Sequence, residues 1–546
     1  MPNEDNATLG TRGGTGAERS EASGGAERSE ASELANLNRL TNKDYYYIRG
    51  MKRIFILLTA MGIAFTAAAQ HNLVDQKWYD IQKADVDKAE AIISKIFKKH
   101  VTFPNPAKGA QWFPDASLGL FMHWGIHSPI GAQPSWAMIK GYRWNGGYNS
   151  PEEYYGQAKT FNPDYHPIKY LKEAKEAGFQ YAVMTARHHD GYSLWPSKYG
   201  FGVKQYIPGR DLIKEYVDAC REAGLKVGLY YSPRDWMFPG DRTDAWFDVE
   251  TWADSRPKVT PEEDHANYMK FLGYVIAQLE ELLTNYGKID ILWLDGMGWT
   301  GITEHYSEQV YSWIRTLQPD IVVNDRWANI VDPDNPAGTS ARIGDFTTPF
   351  ECIKPTYRPS EWFEHCHIWT CGGGGWGYDR TQTFRPLSWF FEEYVASRSL
   401  GGNFLPNVGP DGEGNMSDQF YARLDSLKAW RAHSGESLEG AGPTPGVELS
   451  NVPLTTRNRK KLSARPSKGE IWYAHLLPDF TAQVSVLTTS AHRNGRFAKS
   501  LGRRPISVTY LRTGEPVPFL FVEGAIVFKI SPSDRTKTDD VVKIQF

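Results

Sequence analysis

Residues 289–299 read IDILWLDGMGW. From Ile289 to Leu294 the run is apolar apart from Asp290 at its entrance, which predicts a short buried strand. The run stops at Asp295, and Gly296 and Gly298 follow. A carboxylate at the end of an apolar strand is poor folding chemistry, because burying it without partners is costly. It is good catalytic chemistry, because a (β/α)8 barrel keeps its reactive residues where parallel strands end and loops begin. Strand alternation places Trp293 and Asp295 on one side. An aromatic wall beside a carboxylate suits a sugar ring, with an apolar face to stack and a carbon to attack. A lone strand-end Asp also serves as a helix cap, so its meaning depends on the other strand ends.

Strand-like segments occur at 118–124, 181–185, 227–232, 289–294, 321–324 and 403–407, with helical patterns at 168–177, 212–223, 266–286, 307–317 and 387–400. Such alternation predicts a parallel α/β architecture and, at this length, a barrel. No GxGxxG follows the first strand, which disfavours a dinucleotide-binding sheet. The glycine run 372–375 lacks a following Lys-Ser/Thr and reads as a βα loop. At the strand tips stand His123-Trp124, Arg187-His188-His189-Asp190, Tyr230-Tyr231-Ser232, Asp295, Asn324-Asp325-Arg326-Trp327, and Asn403 with Asn407. One strand-end histidine is ordinarily structural, but a barrel brings all these tips to one mouth. Histidine and arginine donors around a carboxylate, with Phe121, Trp136, Trp293 and Trp376 as apolar surface, describe a monosaccharide pocket.

The rest of the chain frames that barrel. It has 546 residues, enough for two or three domains, and a formal net charge of −3, so no nucleic-acid partner is expected. Aromatic residues make up 13%, which suits sugar stacking and large cores alike. GAERSEAS occurs twice within 16–32, a polar repeat that cannot bury a core. Met51-Lys52-Arg53, a short apolar run and Ala67-Ala68-Ala69 then read as a secretory signal peptide. The expected organisation is an upstream extension at 1–50, a signal at 51–69, a TIM-barrel-like domain with a helical lead-in at 70–443, and a C-terminal antiparallel β-sandwich at 444–546. The mature chain is expected to begin near Gln70, without a membrane span, in the periplasm or outside the cell. Short β-rich runs at 470–477, 482–489, 506–512 and 525–530 mark the sandwich, and the basic run 457–461 reads as a solvated loop. Cys220 reads as a core residue; Cys352, Cys366 and Cys371 leave one disulfide open. HCHIWTC (365–371) lacks the paired spacing of a structural zinc site.

Several blocks identify a family. WFPDASLGLFMHWGIHS (112–128), YAVMTARHHDGYSLW (181–195), GLYYSPRDW (228–236), IDILWLDGMGW and VVNDRW (322–327) resemble the α-L-fucosidases of glycoside hydrolase family 29, as do GDFTTPFE (344–351), WGYDR (376–380) and SLGGNFLPNVGPDGEG (399–414). The resemblance implies a (β/α)8-like TIM barrel followed by a β-sandwich, and removal of terminal α-L-fucose from fucosylated glycans with retention, through a covalent fucosyl–enzyme. It matches Asp295 to the nucleophile. His123, His188, His189, Tyr230 and Arg326 match residues that hold the fucose hydroxyls or the nucleophile; Phe121, Trp293 and Trp376 match the apolar patch around the ring and methyl group.

Glu351 follows GDF as the family acid/base does, one residue further on than the GDF-x-TPE spacing. Glu364 is the next choice; Glu361 reads as a helix start. Where relatives carry an acidic residue before the loop tryptophan, this chain has Ser135. No cofactor and no metal are expected, and an oligomer is compatible with the sequence. Two rivals remain: a metal-dependent barrel hydrolase using His123, His188, His189 and Asp295, which lacks the usual H-x-H on the first strand, and a sugar-binding relative without catalysis.

Overall fold

The computed structural model describes residues 73–95, 107–141, 147–239, 260–296, 306–327, 344–372, 375–444, 448–459, 466–479, 485–489, 491–493, 496–498, 502–522 and 524–546. The repeats, the expected export signal, Met297–Trp299 of the opening stretch and Lys460-Lys461 of the basic run lie outside them.

Eight parallel strands form one sheet: β1 (Gly119–Met122), β2 (Tyr181–Arg187), β3 (Lys226–Tyr231), β4 (Ile291–Leu294), β5 (Val322–Val323), β6 (Phe346–Glu351), β7 (Trp362–Ile368) and β8 (Asn403–Val408). Their order, β5-β4-β3-β2-β1-β8-β7-β6, is sequential around a ring, and a parallel bridge between Asn324 and Phe346 joins the two ends into a barrel. The expected barrel is therefore present, with two strands more than the sequence patterns suggested. β6 contains Pro349, which argues against a central strand, and β7 is disguised by its histidines, glutamate and cysteine. Glu361 accordingly precedes a strand and not a helix. The expected six were recognisable because each carries a short apolar run, Phe404-Leu405 marking β8 despite Pro406.

The helices follow local rules. α1 (Lys83–Ile93) is the lead-in; α2 (Ile168–Glu176), α3 (Leu212–Ala223), α4 (Pro261–Thr284), α5 (Ser307–Leu317) and α6 (Leu387–Leu400) follow barrel strands, and α7 (Asp418–Ser434) comes after β8. α4 starts earlier than its apolar pattern, because Thr260 and Glu263 make a reciprocal capping box with Pro261 in the first turn. α3 is capped by Asp211 and ends at Gly224, whose φ of 73° suits a left-handed residue. It buries Leu212, Ile213, Tyr216, Val217 and Cys220. All four cysteines are free thiols.

Inside the barrel Phe113, Phe121, Tyr181, Val183, Tyr230, Ile291, Trp293, Val322, Phe346, Cys366 and Leu405 form one apolar cluster. Gly119 is needed there: a Cβ would stand 2.2 Å from the Tyr181 ring. Further along, five antiparallel strands (Gly442–Pro443, Leu454–Arg457, Ile471–Leu476, Asp540–Gln545, Ser507–Tyr510, in sheet order) and four (Glu448–Ser450, Ser485–Thr489, Ala525–Phe528, Phe519–Val522) make two sheets. A core including Trp472, Tyr510, Phe528 and Phe546 lies among them. One expectation fails here. Arg457, first residue of the basic run, belongs to a strand, and its guanidinium donates to the carbonyls of Glu436 and Glu439, in and just after the 3-10 turn Gly435–Ser437 that follows α7. Carbonyls left open at a helix end attract a cation.

Candidate active site

The C-terminal tips of the strands open on one cavity of about 640 Å3. Phe121 and His123 reach it from β1, His188 and His189 from β2, Tyr230 from β3, Trp293 and Asp295 from β4, Arg326 from the turn after β5, and Glu351 from β6. Trp136 and Trp376 close it from loops. All eleven residues expected from the sequence are brought to this one pocket. Glu361 and Glu364 are not among its lining residues.

Two β-bulges decide which way the critical side chains point. In β6, Thr347 pairs with Phe363 but Phe350 pairs with His365, so three steps on β6 match two on β7. The one residue by which GDFTTPFE exceeds the expected spacing is absorbed there, and Glu351 comes level with inward-facing Cys366. In β2 an irregularity between Thr185 and Arg187 pairs Arg187 with Tyr231. Arg187 is thus turned out of the pocket, contrary to the expectation for the strand tip, and its guanidinium stacks 4.5 Å from the Tyr231 ring. Bulges of this kind re-aim side chains beside active sites.

Three charged groups hold one another. Arg326 donates from Nε to Asp295 Oδ1 at 2.8 Å and from Nη1 to Glu351 Oε2 at 2.7 Å. The Tyr230 hydroxyl donates to Asp295 Oδ2 at 2.7 Å. Burial alone would raise the Asp295 carboxyl, but the Arg326 charge and these bonds outweigh it and hold it at about 2. Asp295 is therefore an anion at neutral pH, with both oxygens occupied. The Arg326 guanidinium also lies 4.8 Å from the centre of the Trp293 ring, a cation–π contact. Tyr230 stacks on Trp293 at 5.6 Å, and Phe121 lies 5.0 Å away.

The histidines are held differently. His123 Nδ1 lies 2.7 Å from Asn407 Oδ1, and the Asn407 amide is oriented by donating to the Trp376 carbonyl at 2.7 Å. Nδ1 therefore carries the proton and Nε2 is left as an acceptor. His188 Nδ1 is 2.6 Å from Ser135 Oγ, and His189 Nδ1 is 2.6 Å from Ser232 Oγ. Burial lowers all three rings, His123 to about 4 and His189 to about 3, so each is neutral near pH 7. Ser135 has a φ of 55°, a strained conformation for a residue with a Cβ, and its hydroxyl also accepts from the Asp190 amide at 2.9 Å. Beneath His189, Arg187 donates to the carbonyls of Ser232, Pro233 and Arg234, fixing the loop that supplies Ser232. Trp236 of that loop packs 5.6 Å from His189.

Some lining residues had no signal in the sequence. Gln133 accepts from the Trp376 amide at 2.7 Å, and Thr347, Cys352 and Ile368 belong to or adjoin the two unrecognised strands. Had β7 been recognised, its period-two alternation would have marked Ile368.

Donor atoms of His188, His189 and Asp295 lie within 4.8 Å of one another, a grouping that could hold a metal. The chemistry fits a cation poorly. Both Asp295 oxygens already accept hydrogen bonds, and the donor to one of them is itself a guanidinium cation. The pocket suits a neutral polyhydroxylated ring: hydroxyl partners on the histidine side, an aromatic floor, and an ionised carboxylate facing a second carboxyl across one arginine.

Comparison with known proteins agrees. Residues 86–436 match the family described as Alpha-L-fucosidase. Tissue alpha-L-fucosidase of Rattus norvegicus is 28% identical over 354 residues, spanning 61% of this chain and 70% of that protein. Alpha-L-fucosidase isoenzyme 1 of Paenibacillus thiaminolyticus superposes with a TM-score of 0.58 at 26% identity, covering 80% of this chain and 98% of that one. A Bacteroides thetaiotaomicron alpha-L-fucosidase trapped as a covalent intermediate shares the fold, with a TM-score of 0.64 at 21% identity over 83% of this chain and 99% of that one. On the strength of the family match over most of its length, joined to the barrel and its pocket, this chain belongs to the alpha-L-fucosidase family of glycoside hydrolases.

Proposed function

We propose that this protein is a retaining exo-α-L-fucosidase, acting on terminal fucose of a glycan or glycoconjugate. One observation carries the reading: Asp295 and Glu351 share the Arg326 guanidinium at the mouth of a pocket with an aromatic floor. Two carboxyls on one guanidinium are close neighbours, which suits the roughly 5–5.5 Å separation of retaining pairs better than the wider inverting spacing. Asp295, kept ionised, attacks the anomeric carbon and forms a fucosyl ester; Glu351 protonates the departing oxygen and then deprotonates the water that releases fucose. The Glu351 side chain is 39% exposed, so solvent can supply its proton. In the first step the leaving oxygen displaces the guanidinium and Glu351 takes up a proton. His123, His188, His189 and Tyr230 hold hydroxyls and the nucleophile, while Phe121, Trp136, Trp293 and Trp376 cover the ring and methyl group.

The proposal extends to location. Translation starts at Met51, residues 51–69 direct export and are removed, and the mature chain carries its barrel to about residue 443 and its sandwich from 444, in the periplasm or outside the cell. N-terminal sequencing of exported material should begin near Gln70; finding residues 1–50 on it would refute this part. The catalytic reading is tested with a chromogenic aryl α-L-fucoside, following the first sugar released by proton NMR. Initial release of the α anomer supports retention; release of the β anomer, or no hydrolysis, overturns the mechanism.

A further inference from the structure

Glu364 is a carboxyl inside the barrel with nothing of the reaction to do. It lies on β7 with no exposed surface, on the inward side shared with Cys366, and it does not line the cavity. Its Oε1 accepts the indole N–H of Trp293 at 2.8 Å and its Oε2 accepts the Tyr181 hydroxyl at 2.5 Å. Among the described residues no cation pairs with it. Tyr181 comes from the start of β2, and room for its ring is made by Gly119. A buried carboxyl with two donors and no counter-charge is an expensive way to fill a barrel, where an aliphatic side chain would pack as well. What it supplies is orientation. Trp293 is 2% exposed and packs against the Phe121 and Tyr230 rings and the Arg326 guanidinium, contacts that tolerate sliding. Among the described residues, the bond to Glu364 is the one hydrogen bond made by the indole N–H.

We propose that Glu364 is a positioning residue: through the indole N–H it sets the plane of Trp293, and so the apolar floor on which the fucose ring and its methyl group rest. This builds on the fucosidase reading of the pocket and assigns Glu364 no contact with the sugar. Burial, opposed by the bonds from Tyr181 and Trp293, raises its carboxyl to about 7 from the usual 4.5. The floor therefore lies against a group that changes charge in the neutral range. Losing that proton strengthens an acceptor already bonded to Trp293, so the indole N–H reports the event directly.

The test uses the full chain with Glu364→Gln and Glu364→Leu. Removing the acceptor leaves the indole N–H buried and unpaired, so E364L should raise KM for an aryl α-L-fucoside roughly ten- to a hundredfold, with a smaller change in kcat. E364Q retains an acceptor of the same shape and should restore most of that KM. In 15N-indole-labelled protein the Trp293 N–H resonance, assigned by Trp293→Phe, should titrate near neutral pH in the wild type and stay fixed in E364Q. An unchanged KM in E364L, or a Trp293 resonance that ignores pH, overturns the proposal. So does an E364Q variant that loses kcat on a fucosyl disaccharide but not on an activated aryl fucoside, since that pattern marks an acid catalyst. If E364L fails to fold, E364Q and the resonance decide. If the wild type hydrolyses no fucoside, the functional reading falls, and the resonance still decides the role of Glu364.

Discussion

On the β1–β3 side of the pocket His123, His188 and His189 are uncharged rings, each held at Nδ1 by a neutral partner: Asn407, Ser135 and Ser232. On the β4–β6 side Asp295, Arg326 and Glu351 are charged and held largely by one another. The two sides also differ in access. The histidines are at most 7% exposed, whereas the Asp295, Arg326 and Glu351 side chains are 17%, 23% and 39% exposed. Neutral groups can be buried once hydrogen-bonded, and burial then makes them rigid. Charges need a counter-charge and some water, so they collect where the pocket opens. On the proposed reading, recognition and bond-breaking are divided between the two walls of one barrel.

The largest effect should come from the charged side. Asp295→Ala should lower kcat more than about a thousandfold, over ~4 kcal/mol, and added azide should restore turnover by forming β-fucosyl azide. Retention of more than a tenth of the activity would place the nucleophile elsewhere. Glu351→Ala should lower hydrolysis of a fucosyl disaccharide by about a hundred- to ten-thousandfold. Ester formation from an activated aryl fucoside should suffer far less, and the basic limb of the pH profile should vanish. Equal losses on both substrates would remove Glu351 from the acid/base role.

The histidine side should respond more weakly. His123→Ala or His189→Ala should reduce kcat/KM by about 1–3 kcal/mol, because each leaves buried polar groups unpaired. Stability sharpens the contrast. Each ring resists protonation in the folded chain down to about 4 or 3, while the unfolded ring takes its proton near 6.5. The unfolded state binds more protons in that window, so stability is fully present above 6.5 and falls as the pH drops towards 4 and then 3. Replacing His123 by Asn should flatten that decline in denaturant titrations; an unchanged slope would mean that the ring is not buried neutral. The smallest effect is expected from EDTA, which should leave activity unaltered. Loss of activity, with recovery on adding zinc, would turn the histidine side into a metal site.

Motif order, strand-tip chemistry and the six apolar strands were legible because they depend on residues near in sequence: an apolar run sets the strand, and the first polar residue after it falls at the mouth. The same rule misplaced Arg187, because a bulge reverses the alternation just before it, and it left Glu351 one residue out of register until the bulge in β6 absorbed the difference. No local pattern announces a bulge, and for the one in β6 the partner strand was itself unrecognised. Nor could sequence foresee that Ser135, Ser232 and Asn407 would orient three histidines lying 53, 43 and 284 residues away along the chain, or that Glu364 would lie under Trp293 rather than beside Asp295. Residue type and spacing determined which chemistry this protein can carry. Which carboxyl lines the pocket and which sits beneath Trp293 was decided only by tertiary structure, because closure of a barrel sets side-chain direction through pairing between strands distant in sequence.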